Sequence, residues 1–349
     1  MIHYYLLTNM LMMVDNKKDN GGILKMDLTW EQIRKKALSG ENLLKEEVLE
    51  LAEWPLEELD KLLEMSKEVR EYFWGKKVSL CSIINARSGL CGEDCIFCAQ
   101  SSHHNTDIER YPLISPEKAL EKAFQMEAAG VRHFSLVTSG GNVTGKDFNK
   151  ILEIYRILQE RTGLELHASL GMLNEEKARQ LKEAGITTYH HNLETGRNYF
   201  KNICTTHSFD DRIATIRVAR SAGLEICSGG IIGMGETMTD RLEMVLELRE
   251  LDVKSIPVNI LNPIPGTPLE NQVRLQPEEI LKTAAIFRLI HPQATFRLCS
   301  GRETALKDKQ TVALSTSLKG MMVGGYLTLP GEEMEKDLNM LSKADLKGS

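Results

Sequence analysis

Beyond its first residues, the 349-residue chain has no apolar run approaching the roughly 20 residues needed to cross a bilayer. The apolar start, Met1–Val14, is too short to do so and lacks the basic flank and small-residue cleavage site of a secretory leader. Positive charge is not in excess: 43 Lys and Arg stand against 49 Asp and Glu, a net charge of −6. That balance gives no general attraction to nucleic acid or anionic membrane surfaces, and no local basic patch replaces it. Seven cysteines, an odd number in a chain too long to need staples, do not make a secreted disulfide framework. A reducing, cytoplasmic setting is expected. A composition 42% hydrophobic and 26% charged excludes disorder, a solenoid and a collagen-like rod.

What is present divides the chain. Residues 1–26 read as a loose extension, with Met26 a possible alternative start. Residues 27–76 carry apolar positions at helical spacing with charges on the opposite face, which predicts a small helical cap seated on the main domain through Trp54 and Trp74. Residues 77–341 alternate short β-branched runs with amphipathic helices. The runs are VSLCSIIN, VRHFSLVT, LELHASL, ITTYHHN, LEICSG, SIPVNIL, TFRLCS and GMMVGG, and helical stretches such as ETALKDKQTVALSTSLKG lie between or beside them. Eight strands, the first seven each followed by a helix, predict an α/β fold of the parallel (β/α)8 TIM-barrel type. A doubly wound sheet is the rival, but no GxGxxG follows the first strand. Residues 342–349 read as a tail.

The first strand runs into NARSGLCGEDCIFCAQSS, where Cys91, Cys95 and Cys98 form a C-x3-C-x2-C loop. Three soft thiolates this close suit one face of an iron–sulfur cubane, leaving its fourth iron open. A zinc site would need a fourth ligand, for which His103 and His104 are near enough in sequence.

This spacing, with Phe97 before the last cysteine, resembles the signature of radical S-adenosylmethionine (SAM) enzymes. With YHHNLET, NICTTHSFDDR, CSGGIIGMGET, IPVNILNPIPGTPL and RLCSGRE in the same order, the chain resembles more specifically the biotin synthase family over about residues 77–341. The resemblance implies a [4Fe-4S] cluster on Cys91, Cys95 and Cys98, with SAM chelated to its open iron. It puts Phe97 against the adenine, Asn192 and Glu194 at the ribose, Arg212 at the methionine carboxylate, Thr138 near the methionine amine and Ile231 in the adenosyl pocket. Dethiobiotin would be held by Asn192, Asn259 and Thr328, with Leu329 replacing a second expected threonine. A flavodoxin or ferredoxin type of electron donor and a homodimer are also implied. The runner-up is a relative that does not donate sulfur, of the hydrogenase maturase or methylornithine synthase type.

The family's second, sulfur-donating [2Fe-2S] cluster uses three cysteines and an arginine, and the matching positions are Ser135, His167, Cys227 and Arg297. Two of three cysteines are missing. Period 2 places Cys299 on the same inward face as Arg297, and the resemblance puts Cys81 in the same shell. Cys81, Cys227 and Cys299 with Arg297 are therefore expected to hold a variant auxiliary iron–sulfur cluster, with His167 or Cys204 as a fourth ligand. His190 and His191 end the fourth strand and are given no ligand role.

Overall fold

The computed structural model describes residues 29–348; the expected extension, residues 1–26, lies outside the described residues. The chain enters through α1 (Trp30–Ser39), α2 (Lys45–Ala52) and α3 (Leu59–Trp74). Thr29 and Gln32 cap each other's backbone N–H groups at the start of α1, and Gly40 closes it at φ 74°.

The barrel strands are β1 (Lys77–Arg87), β2 (His133–Thr138), β3 (Glu165–Ser169), β4 (Thr188–His190) and β5 (Glu225–Cys227). They continue as β6 (Gly230–Ile232), β7 (Ser255–Ile260), β8 (Thr295–Leu298) and β9 (Gly320–Met322). All pair in parallel and β9 returns to β1, so with β5 and β6 counted as one interrupted strand the expected eight-stranded barrel is closed. Helices α4 (Pro116–Ala128), α5 (Gly145–Arg161), α6 (Glu175–Glu183), the short α7 (Arg197–Phe200), α8 (Phe209–Ser221), α9 (Met238–Glu250) and α10 (Pro277–Ile290) lie between strands. After β8 come α11 (Arg302–Ala305) and α12 (Gln310–Thr316), and α13 (Met334–Lys343) follows β9. Among the described residues, no helix is long and apolar enough to cross a membrane.

Alternation along the strands sorts the side chains. Phe134, Leu136, Ile256, Phe296 and Leu298 are wholly buried in the hydrophobic layer outside the sheet, each stabilising the fold by about 1.5–3 kcal/mol. Their neighbours Ser135, Val137, Ser255, Pro257 and Arg297 therefore point into the barrel.

Three sequence expectations are corrected. The fifth strand extends past LEICSG: it breaks at Ser228–Gly229 and resumes at Gly230–Ile232, and the break brings Gly229 so close to β7 that a Cβ there would stand 2.0 Å from the Pro257 carbonyl oxygen. The helix expected over ETALKDKQTVALSTSLKG is broken, since Lys307 adopts φ 52° and its carbonyl is capped by Gln310 Nε2 at 2.9 Å. Residues 342–349, expected as a tail, include the last two residues of α13 and β10 (Lys347–Gly348), which pairs with Lys77 and Val78. Buried Leu341 and Leu346 hold that segment on the barrel base.

The helical cap covers the flank of the last two strand–helix units and leaves the mouth free. Arg70 Nε donates to the Leu318 carbonyl (3.0 Å), Ser66 Oγ to that of Thr316 (3.1 Å) and Lys282 Nζ to that of Ala52 (2.8 Å). Trp74 carries out its expected docking role under Lys319 Nζ (3.8 Å), whereas the Trp54 ring packs within the cap against Trp30, tilted at 49° with centroids 3.8 Å apart.

At the other end of the chain, Arg302 donates two hydrogen bonds to Asp337 of α13 at 2.8 and 2.7 Å, and both side chains are almost wholly buried. Removing one partner leaves a buried charge uncompensated. Asp337→Ala is expected to lower unfolding free energy by about 3 kcal/mol in denaturant melts; a loss below about 1 kcal/mol would show that Glu303, whose Oε1 lies 3.4 Å from Arg302 NH2, compensates.

Candidate active site

A cavity of about 390 Å³ occupies the barrel interior and opens at the C-terminal ends of the strands, where this fold places its sites. Its outer rim is the loop after β1. Gly89 and Leu90, at φ 78° and 53°, turn the chain back over the barrel. Backbone bonds then close the loop: Cys91 N to Gln100 O (3.0 Å), Ser102 N to Cys91 O (2.7 Å) and Cys98 N to Cys95 O (3.0 Å). The segment after α7 braces it, with Asp94 Oδ1 accepting from the backbone N–H groups of Thr205 (2.9 Å) and Thr206 (3.2 Å) and Ile96 N donating to Ile203 O (3.0 Å).

Cys91, Cys95 and Cys98 all line the cavity. Burial pushes the Cys98 thiol up to about 11, so a metal ion must displace its proton to make it a ligand. The two histidines considered for zinc do not join the cysteines. Neither ring lines the cavity with the thiols: His103 Nε2 meets the Gly92 carbonyl (3.1 Å) and His104 Nδ1 the Cys98 carbonyl (2.9 Å). Three soft thiols with an open cavity above them fit a cluster with one free iron.

Cys204 lies against this loop. Its Sγ is 3.7 Å from Cys95 Sγ and 3.3 Å from His207 Nδ1, whose ring also meets Glu93 Oε2 at 2.6 Å. Donation from Cys95 and then His207 pulls the Cys204 thiol down to about 4. Cys204 therefore belongs to the rim and is not available as a fourth ligand for the inner cysteines.

Beside the loop stand the residues expected at SAM. Arg212 NH1 donates to the Asn192 carbonyl (2.8 Å) and lies 3.5 Å from Glu194 Oε1, and Asn192 Nδ2 donates to Glu194 Oε2 (3.3 Å). Glu194 sits at φ 71° and bridges to Gly230, which aims its carboxylate at Arg212; burial raises its pKa while Arg212 opposes the rise. Arg212 Nε and Thr138 Oγ1 are buried without a partner, and both residues line the cavity with Phe97 and Ile231. Unpaired buried polar atoms are costly unless a ligand satisfies them. The GMGE turn is closed by its own Glu236, which accepts from Gly233 N and Met234 N (both 2.7 Å) and from Arg241 Nε (2.6 Å).

At the inner end, Cys81, Cys227 and Cys299 line the same cavity with Arg297. Their exposures are 5%, 3% and 0%. Burial pushes Cys227 up to about 11, and burial, with Cys81 and Cys227 beside it, raises Cys299 as well. Arg297 is held from two strands, Nε donating to Ser255 Oγ (3.1 Å) and NH1 to Ser79 Oγ (3.0 Å), while Ser255 Oγ donates to Cys227 Sγ (3.2 Å). Ser79 and Ser255 were missed from sequence, although their inward strand register was readable. Ser135 is buried outside the cavity lining, and His167 faces the barrel base with Nδ1 2.9 Å from His190 Nε2.

Asn259 bridges strands, Nδ2 donating to Gly230 O and Oδ1 accepting from Ser300 N, both 3.2 Å. It lines the cavity, as do Thr328 and Leu329 at the mouth. Tyr326, also in the lining and unremarked in the sequence, donates to Glu303 Oε1 (2.6 Å) and accepts from Arg302 Nε (3.0 Å), fixing that end of the mouth.

The chain matches the family model described as the radical SAM superfamily over residues 87–248 and that of the biotin and thiamin synthesis associated domain over 257–347. It is 52% identical to a biotin synthase of Pelotomaculum thermopropionicum over 91% of this chain and 98% of that protein. A biotin synthase of Carboxydothermus hydrogenoformans is 50% identical over 90% of this chain and 98% of the relative. Among solved structures, methylornithine synthase superposes with a TM-score of 0.79 at 20% identity, covering 91% of this chain and 97% of that one. The FeFe-hydrogenase maturase HydG from Carboxydothermus hydrogenoformans gives 0.79 at 18%, covering 91% and 79%. These two share the fold alone, so the runner-up reading is not favoured against relatives of half-identical sequence. A cysteine loop over a barrel mouth, an inner ring of thiols and near-full-length relatives at this identity agree: the chain belongs to the biotin synthase family of radical SAM enzymes.

Proposed function

We propose that this chain inserts sulfur into dethiobiotin to form biotin, using an auxiliary iron–sulfur cluster held by Cys81, Cys227, Cys299 and Arg297 in place of the family's usual set. The observation that carries the reading is the shared cavity, with one thiol set at its mouth and a second, with a fixed arginine, at its inner end. When bound, the mouth cluster supplies the electron that splits SAM into methionine and the 5′-deoxyadenosyl radical that takes hydrogen from C9 and then C6, and the inner cluster supplies the sulfide.

The chain's own residues do the placing. Arg212 offers an unpaired donor to the methionine carboxylate of SAM and Thr138 an unpaired hydroxyl oxygen to its amine, and Asn192 and Glu194 offer acceptors to its ribose. Asn259 and Thr328 bracket the remaining space for dethiobiotin between the two thiol sets. Ser79 and Ser255 hold the Arg297 charge beside thiolates that burial alone would disfavour. The apolar lining from Ile83, Val137, Ile260 and Leu261 keeps water from a radical path. A low-potential flavodoxin or ferredoxin as electron donor, a homodimer and a cytoplasmic setting complete the proposal.

Glu194→Gln and Arg212→Lys are each expected to weaken SAM binding roughly 10- to 100-fold by equilibrium dialysis, the worth of one charge-assisted bond; unchanged affinity in both would remove them from the SAM site. Cys81→Ala, Cys227→Ala and Cys299→Ala are expected to lose iron and sulfide of the second cluster while keeping that of the first. Undiminished content in all three would refute the ligand set. In an anaerobic single turnover with SAM, reductant and dethiobiotin, biotin is expected to appear as auxiliary sulfide is lost. Formation of 5′-deoxyadenosine with dethiobiotin left intact would keep the radical chemistry and overturn the substrate.

A further inference from the structure

At the opposite end of the barrel, a second cavity of about 160 Å³ is walled by the first residues of β2, β3, β4, β5, β7 and β8. It contains donors that the reaction cavity does not use. His133 and Glu165 are register partners on β2 and β3, and His167 stands one inward layer above Glu165. His133 Nδ1 lies 3.1 Å from Glu165 Oε2 but makes no hydrogen bond. His167 is 6% exposed; its Nδ1 is taken by His190, and its Nε2 is buried with no partner. One donor atom from each of His133, Glu165 and His167 falls within 4.8 Å of the others.

We propose that His133, Glu165 and His167 form a binding site for a divalent first-row transition ion, ferrous iron or zinc, at the base of the barrel. Two imidazoles and one carboxylate are the donor set of such ions, and three protein ligands leave positions for water. Bonds of about 2.0–2.2 Å bring donor atoms to about 3.3 Å from one another, a contraction that His133 and Glu165, at the strand ends, can supply. The surroundings carry charge of both signs. Arg132 Nε holds the other Glu165 oxygen at 2.6 Å, which orients the carboxylate toward His133. Arg297 and Lys254 line the cavity as cations, and Glu225 lines it as an anion.

Arg297 lines both cavities and stands between this site and the inner thiols. None of the three donors lines the reaction cavity, so the donor set is separate from the one that sulfur insertion uses, with Arg297 shared between the two cavities. It also accounts for His167: the family position that lacks its cysteine carries an imidazole turned toward the base.

The test is metal counting on the anaerobically prepared holoenzyme with both clusters in place, dialysed against Co2+ and analysed for bound cobalt and iron. About one cobalt per chain is expected in the native sequence, weakened at least tenfold in both His133→Ala and Glu165→Gln and retained in Cys204→Ser. The last variant removes the other donor group of the described residues, Cys95 with Cys204 and His207. Unchanged iron content and melting temperature show that each variant is folded, and Glu165→Gln, equal in shape, covers the case where His133→Ala is not. No bound cobalt, binding indifferent to both basal substitutions, or binding lost only in Cys204→Ser would each overturn the site.

Discussion

Two-residue alternation along parallel strands closed into a ring governs this molecule. Every second side chain must enter the interior, and the outer face is committed to hydrophobic contact with helices. Fully buried Phe134, Leu136, Phe296 and Leu298 therefore fix where Ser135, Arg297 and Cys299 must go. The inner thiols are brought together from β1, β5 and the end of β8 by nothing more local than this register. Because the strand directions agree, the same rule delivers Asn192, Glu194 and the cysteine loop to one mouth.

The interior so formed is buried, and that sets its electrostatics. A buried thiol resists ionisation, as the raised Cys98, Cys227 and Cys299 groups show. A metal that stabilises thiolates is the natural occupant. An arginine in the same space is tolerable only when its donors are satisfied, which Ser79 and Ser255 do for Arg297. The mouth shows a complementary condition, for Arg212 Nε and Thr138 Oγ1 remain unsatisfied where the expected ligand would lie.

Much of this was legible in the sequence. The C-x3-C-x2-C loop needs no tertiary contact to be recognised, and hydrophobic periodicity is strongest in long amphipathic helices and buried strands. Reading failed where distant contacts override local pattern. The break at Gly229 goes with close approach to the Pro257 carbonyl on another strand, and the interruption at Lys307 accompanies burial of Arg302 against Asp337. Cys204 lies beyond both β4 and α7, so only the fold could show it against Cys95. His167 occupies an inward position in either reading; which end of the barrel its ring faces depends on His190 and His133, neighbours that sequence spacing does not rank.

The central claim is that two thiol sets hold two clusters independently along one cavity. Mössbauer spectroscopy of an anaerobically reconstituted 57Fe sample in which Cys91, Cys95 and Cys98 are all replaced by alanine tests it directly. An iron–sulfur signal with matching sulfide should remain, carried by Cys81, Cys227 and Cys299. A folded variant with no cluster iron would contradict it.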